Sequence, residues 1–189
     1  MKNKFTFLEK KITATLVNGE FIWVAFEGTN GTSPLYKSSV YNPDLVYWDV
    51  NVVADEINFI HSDTTYLYLS LDDSASLGAK VTIANPSTIT YFVKPGGITE
   101  KAIDLVDDTT FIYFLTPGLV GGANAKIVKY NKSTRAYVET INLTTVFNVK
   151  KIDLDEFGNI WIQSDLDGTP KLTKASYSGG WSFTTYTLS

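Results

Sequence analysis

An all-β chain, built from one four-stranded unit repeated four times, is the fold class the sequence predicts, and three observations predict it. A hydrophobic landmark recurs at a near-constant interval. Short runs rich in β-branched and aromatic residues alternate with Gly, Asn and Asp turn signals. No stretch carries a 3.6-residue apolar period. The landmark is the sequence "ITATLVNGEFIWVAF" (12–26), matched by "INFIHSDTTYLYLSL" (57–71), "IDLVDDTTFIYFLT" (103–116) and "IDLDEFGNIWIQS" (152–164). Each has an aliphatic start, a polar turn, then an apolar run centred on Trp23, Tyr68, Tyr113 or Trp161, at spacings of 45, 45 and 48 residues.

The elements follow in order. Strands one and two are joined by the hairpin signals "NG" (18–19), "SDTT" (62–65), "DDTT" (107–110) and "FGN" (157–159). Strand three is marked by "SPLYKS", "AKVTIA", "AKIVKY" and "PKLTKA", with anchors Leu35, Val81, Ile127 and Leu172 spaced 46, 46 and 45 apart. Strand four is "LVYWDVNV", "TITYFVK", "AYVETINL" and "SFTTYTLS". Four short strands in about 45 residues are the mark of a β-propeller blade. The predicted fold is therefore a β-propeller of four blades, at about 10–52, 53–98, 99–147 and 148–189, forming one domain over 10–189. One blade exposes both faces of its sheet, so neighbours must cover them. The four blades close on themselves, pair with a second chain into an eight-bladed ring, or form an arc completed by another protein. Residues 1–9, with "KFTFLE", are left over as an extra strand, a clasp or an arm.

The pattern D-x-x-G-N-I-W-I, met at Asp155, Gly158, Asn159, Ile160, Trp161 and Ile162, resembles the propeller repeats of two-component-regulator sensors, and more loosely NHL and kelch-like blades. The other three units keep only the hydrophobic skeleton. The resemblance implies architecture and hands over no catalytic residue.

Composition narrows the function classes. At 189 residues and 44% hydrophobic content, the chain has enough core to fold without a staple. A net charge of −4 argues against nucleic acid as partner. The absence of cysteine excludes disulfides, thiolate nucleophiles and Cys-based zinc sites. No run reaches the length of a signal peptide core or a membrane span, which predicts no signal peptide, no membrane insertion, and a cytoplasmic or virion-associated protein. Fifteen of the sixteen cationic residues are Lys and one, Arg135, is Arg, so a carboxylate- or phosphate-reading arginine cluster is not expected.

Chemistry is scarce. His61 is the single histidine and is expected as a turn residue. Paired carboxylates occur at Asp72 and Asp73, at Asp107 and Asp108, around Asp153, Asp155 and Glu156, and at Asp165 and Asp167. Catalysis on a glycan would need two of them facing each other; turn chemistry, in which Asp bonds the backbone two residues on, accounts for them more simply. "DLDEFG" begins like a calcium loop but lacks its closing Glu, and "DLDG" (165–168) reads as a turn. No cofactor is expected. Lys37, Lys129 and Lys174 share one repeat position and read as edge protection.

The loops after strand two, at 27–33, 71–78, 117–125 and 164–169, are the natural place for recognition. Candidate partner-binding residues are the aromatics Tyr47, Trp48, Tyr91 and Trp181, together with Asp72, Asp73, Asp165 and Asp167. The leading expectation is a non-catalytic structural or protein-interaction module, with a protein partner or self-association. The lack of Cys, the polar loops and the Lys bias suit a phage-particle component. A glycan-binding, lectin-like propeller is the alternative, and a glycan-active hydrolase or lyase the third.

Overall fold

A computed structural model describes residues 11–42, 46–118, 124–144, 146, 148–166 and 168–188, with the side chains of 46–49 and 166 outside the description. The "KFTFLE" segment lies outside the described residues. Those residues contain no helix, and their strands fall into four four-stranded antiparallel sheets. The first sheet is β1 (Ile12–Asn18), β2 (Phe21–Phe26), β3 (Thr32–Ser39) and β4 (Val46–Val53). The second is β5 (Glu56–Ser62), β6 (Tyr66–Asp72), β7 (Ser76–Thr82) and β8 (Asn85–Val93). The third is β9 (Asp104–Asp107), β10 (Phe111–Thr116), β11 (Ala125–Asn131) and β12 (Tyr137–Leu143). The fourth is β13 (Val149–Leu154), β14 (Ile160–Leu166), β15 (Thr169–Tyr177) and β16 (Trp181–Thr187). In each sheet the strands lie side by side in chain order.

The chain divides into two compact units, 1–93 and 94–189, each holding two sheets. In the first unit the opening strands β1 and β5 run against each other, and in the second β9 and β13 do the same. "IDLD" is thus an inner strand facing its neighbour's inner strand. In the first unit, Trp23, Ala25 and Leu35 from one sheet meet Ile60, Leu67, Leu69 and Leu71 from the next. In the second unit, Tyr113, Leu115 and Ile127 meet Ile152, Ile160 and Ile162. Each fully buried Leu or Ile contributes about 1.5–3 kcal/mol relative to exposure. Within each unit the landmark aromatic of the first sheet, Trp23 or Tyr113, therefore packs on the alternating aliphatic positions of the second, which accounts for the period-2 pattern at these places.

Register corrects two sequence expectations. Strand-three residues facing the position two past the landmark aromatic are Leu35, Ile127 and Leu172, paired with Ala25, Leu115 and Gln163. In the second blade that place belongs to Gly78, paired with Ser70, and not to Val81. The pairing of β6 with β7 puts this strand three residues earlier than the anchor spacing implies, and the apolar alternation hides the shift. His61 is likewise on strand β5, opposite Tyr68, not in a turn. The turn begins at Asp63, whose carboxylate caps it.

Candidate interaction surface

The hairpin ends carry one device three times. Asp63 accepts hydrogen bonds from the Thr65 and Tyr66 N–H groups, both at 2.7 Å, and from the Tyr68 hydroxyl at 3.0 Å. Asp108 accepts from the Thr110 and Phe111 N–H groups at 2.7 and 2.6 Å, and from the Tyr113 hydroxyl at 2.9 Å. Asp155 accepts from the Phe157 and Asn159 N–H groups and from the Trp161 indole at 3.0 Å. Each carboxylate thus caps a turn and pins the landmark ring, buried at Tyr68 and Tyr113 and half-buried at Trp161. Burial and the Asp108 carboxylate both push the Tyr113 hydroxyl well above the ordinary phenol value. Burial opposes ionisation of Asp155, but hydrogen bonds from Asn159, Trp161 and the local backbone outweigh it and lower its pKa from 3.8 to about 2. The first blade has Asn18 at this place. Its amide reaches Ser62 Oγ at 3.0 Å instead, and the Trp23 indole N–H, although buried, donates to no acceptor among the described residues.

The lysines of strand three correct a further expectation. Lys37, Lys80, Lys129 and Lys174 pair directly with Trp23, Tyr68, Tyr113 and Trp161. Strand three is the third of four, not an edge, and each ammonium sits over aromatic rings. Lys80 Nζ is 3.7 Å from the Tyr66 centroid, Lys37 Nζ is 3.9 Å from Phe21, and Lys129 Nζ is 4.2 Å from Phe111. Lys129 also pairs with Glu139 at 3.2 Å. Burial lowers the pKa of Lys37.

The loops after strand two are tied to the blade connections. The Gly28 N–H donates to the Asp55 carbonyl, and the Asp55 N–H donates to the Asp72 carbonyl at the end of β6. The second unit repeats the arrangement: Asn148 N–H donates to the Gly118 carbonyl, and Asp165 N–H to the Asn148 carbonyl. Asp72 and Asp165 therefore hold equivalent places, four residues beyond Tyr68 and Trp161. Asp73 is a turn cap, accepting from Ala75 and Ser76 N–H at 3.2 and 2.7 Å. Asp167 lies outside the described residues, and among those described no group of three His, Cys, Asp or Glu is gathered to hold a metal ion.

Of the aromatic candidates, Tyr91 bridges neighbouring blades: its hydroxyl oxygen accepts from the Val53 N–H at 3.1 Å. Trp181 does the same in the second unit, donating its indole N–H to Glu139 at 3.2 Å. Both rings pack on the cores between blades. The side chains of Tyr47 and Trp48 lie outside the described residues. The structure adds two rings that sequence reasoning missed. Tyr177 packs edge-on against Trp181 at 5.3 Å and is 63% exposed, and Phe183, on the same side of β16, is 38% exposed. With Trp181 and Glu139 they form an aromatic rim at the outer edge between the third and fourth blades. The signal in the sequence was the run "SYSGGWSF", which places three rings around one hairpin.

No family model and no curated protein matches the chain. Solved structures do. Hydrazine synthase of Kuenenia stuttgartiensis superposes with a TM-score of 0.70 and 12% identity, over 94% of this chain and 54% of that one. The Dos1 propeller gives 0.70 and 9% over 95% and 48%, and the WD40 repeats of RRP9 give 0.66 and 15% over 94% and 51%. The chain spans about half the length of these proteins. Four consecutive four-stranded antiparallel sheets, with propeller structures matching nearly the whole chain, give this protein the β-propeller fold with four blades.

Proposed function

We propose that the chain is a non-catalytic propeller module that binds another protein, working in the cytoplasm or within an assembly such as a phage particle. The aromatic rim of Tyr177, Trp181 and Phe183 carries this reading. Exposed Tyr177 and Phe183 around the half-buried Trp181, beside a polar group, are the residue types that anchor protein interfaces. Among the paired carboxylates, Asp73, Asp108 and Asp155 support it too, because each is engaged in capping a turn. Propellers are interaction platforms in many proteins, and the likeness to WD40 repeats supports the class without naming a partner.

A photo-crosslinking amino acid at position 177 tests it. In the native lysate or particle, a discrete crosslinked protein is expected that disappears with Phe183→Ala and is not seen with the probe at Thr64. No crosslinked protein, together with turnover in a hydrolase and lyase screen, overturns the reading. The lectin alternative rests on the same Tyr177–Trp181 pair, in which Trp181 also bonds the Glu139 carboxylate, the kind of ring and acceptor a sugar subsite uses. A glycan array separates it, since a saccharide hit without a protein crosslink favours that alternative.

A further inference from the structure

The first and fourth blades carry the mating halves of a blade-to-blade interface, each partly exposed. In the second blade, Leu67, Leu69 and Leu71 of β6 are buried against the first blade, and in the fourth, Ile160 and Ile162 of β14 are buried against the third. The register puts Ile22 and Val24 of β2 at the same positions in the first blade. There they are only half-buried, and on β1 beside them Ile12 and Val17 are 56% and 62% exposed. The first blade is thus patterned to receive a neighbour on this side as the second and fourth blades do.

The opposite half of the interface is on the fourth blade. Trp23 and Tyr113 are buried in the cores they share with the next blade. Trp161, their counterpart, is half-buried and stacks at 6.1 Å on Tyr186, which is 46% exposed, and Gln163 and Lys151 on the same face are exposed. An aromatic landmark face seeks an aliphatic face, as Trp23 meets Leu67 and Leu69. The aliphatic face left half-covered is that of the first blade.

We propose that this surface binds a second copy of the chain, with the Trp161 face of one copy seated on the Ile22–Val24 face of the other. The contact is heterologous, joining different faces of the two copies, and a dimer is the closed assembly in which two such contacts are related by a two-fold axis. The proposal goes beyond the outer-edge reading above, since it uses the two blade faces and not the Tyr177 rim.

The interface already inside the second unit fixes which residues meet. Asp104 of β9 reaches across to the Ile152 N–H of β13 at 3.0 Å. Lys151 stands at the place of Asp104, because each pairs with the residue two past the landmark aromatic, Gln163 and Leu115. Thr15 stands at the place of Ile152, because each pairs with the residue one past it, Val24 and Ile162. Lys151 of one copy therefore lies beside Thr15 of the other.

The chain has no cysteine, so single-cysteine variants give an unambiguous test. Thr15→Cys and Lys151→Cys chains, one isotopically labelled, are mixed at equal concentration and treated with a short bis-maleimide. A mixed product of twice the 21.0 kDa chain mass is expected, several-fold above the product from either variant alone. Native mass spectrometry of the unmodified chain is expected to show the same doubled mass, and Val17→Asp to return it to the single-chain mass with an unchanged far-UV spectrum. No mixed product overturns the proposal. So does a link formed only within one Thr15→Cys/Lys151→Cys double variant at single-chain mass, which signifies closure of the chain on itself. A monomer that still crosslinks a partner through position 177 overturns this inference alone; a dimer with no partner there overturns the outer-edge reading alone.

Discussion

The Asp108–Tyr113 pair is the sharpest test of what holds a blade together. Replacing Asp108 by Ala removes the acceptor of the Tyr113 hydroxyl, which bonds it at 2.9 Å from a largely buried ring. Leaving that hydroxyl unpaired costs about 1–3 kcal/mol. The Thr110 and Phe111 N–H groups also lose the carboxylate that capped them. Water replaces it at Thr110, so losing the cap adds about 1 kcal/mol, as for other side-chain caps. The expected total is about 2–4 kcal/mol in urea-unfolding stability, with the slope unchanged. Tyr113→Phe alone removes the donor and costs about 1 kcal/mol. In the double variant no orphaned hydroxyl remains, so the two single effects are expected to overlap by about 1 kcal/mol or more. The first blade supplies a control within the same chain. Asn18 makes only an exposed bond to Ser62 and leaves Trp23 unpinned, so Asn18→Ala is expected to cost less than about 1 kcal/mol. If Asp108→Ala costs no more than Asn18→Ala, or the coupling vanishes, the carboxylate is only a turn former and the pinning argument is wrong.

Three further predictions follow from other residues. Gly28→Ala places a methyl against the backbone carbonyls of Asp55 and Ala54, and is expected to destabilise by about 1–3 kcal/mol, read from the urea midpoint; a neutral effect would mean that the loop is not tied to the blade connection. Arg135 sits at φ 63°, a left-handed conformation that costs a residue with a Cβ about 1–2 kcal/mol, so Arg135→Gly is expected to raise stability by about 0.5–1 kcal/mol after the glycine's own entropy cost, and a loss would refute the strain. The folded pKa of Asp155 is depressed from 3.8 to about 2, so its stabilisation is complete above the unfolded value and is lost as pH falls between the two. Unfolding midpoints across that window are expected to fall more steeply for the parent than for Asp155→Asn, and parallel slopes would contradict the assignment.

Much of the fold was legible in the sequence because its information is local. Strand and turn are set by alternation and by residues such as Asp63, Asp108 and Gly158, all within a few positions of the hairpins they shape. Trp23, Tyr68, Tyr113 and Trp161 mark one place in every blade, and spacing alone finds them. The third strand of the second blade was misplaced because Gly78 and Val81 both sit in apolar alternation, and only pairing with Ser70 and Leu67 tells them apart. The lysines over the rings were misread for a related reason. Lys80 falls three residues from the place that false register assigned it, so the fourth member of the set was hidden. The rim of Tyr177 and Phe183 was not found because exposure of an outer strand depends on what covers it. Periodicity says which residues share a face, and only packing says whether that face is covered.

The order of strands in each sheet has a consequence for how the molecule is made. Every sheet is a meander whose neighbouring strands are neighbours in sequence, so a blade needs only short loop closures to assemble. The hydrogen bonds that join adjacent blades, Val53 to Tyr91, Glu139 to Trp181, Asn18 to Ser62, Lys11 to Glu56 and Asp104 to Ile152, span between 38 and 48 residues. The longest closure that joins these blade pairs is therefore about one repeat, and it costs about 2 kcal/mol more than a tight turn inside a blade, because loop entropy grows only with the logarithm of length. During synthesis, the later blade of such a pair finds its neighbour's surface already present when its own last strand leaves the ribosome. Strand order thus makes the blade a unit of assembly as well as of packing.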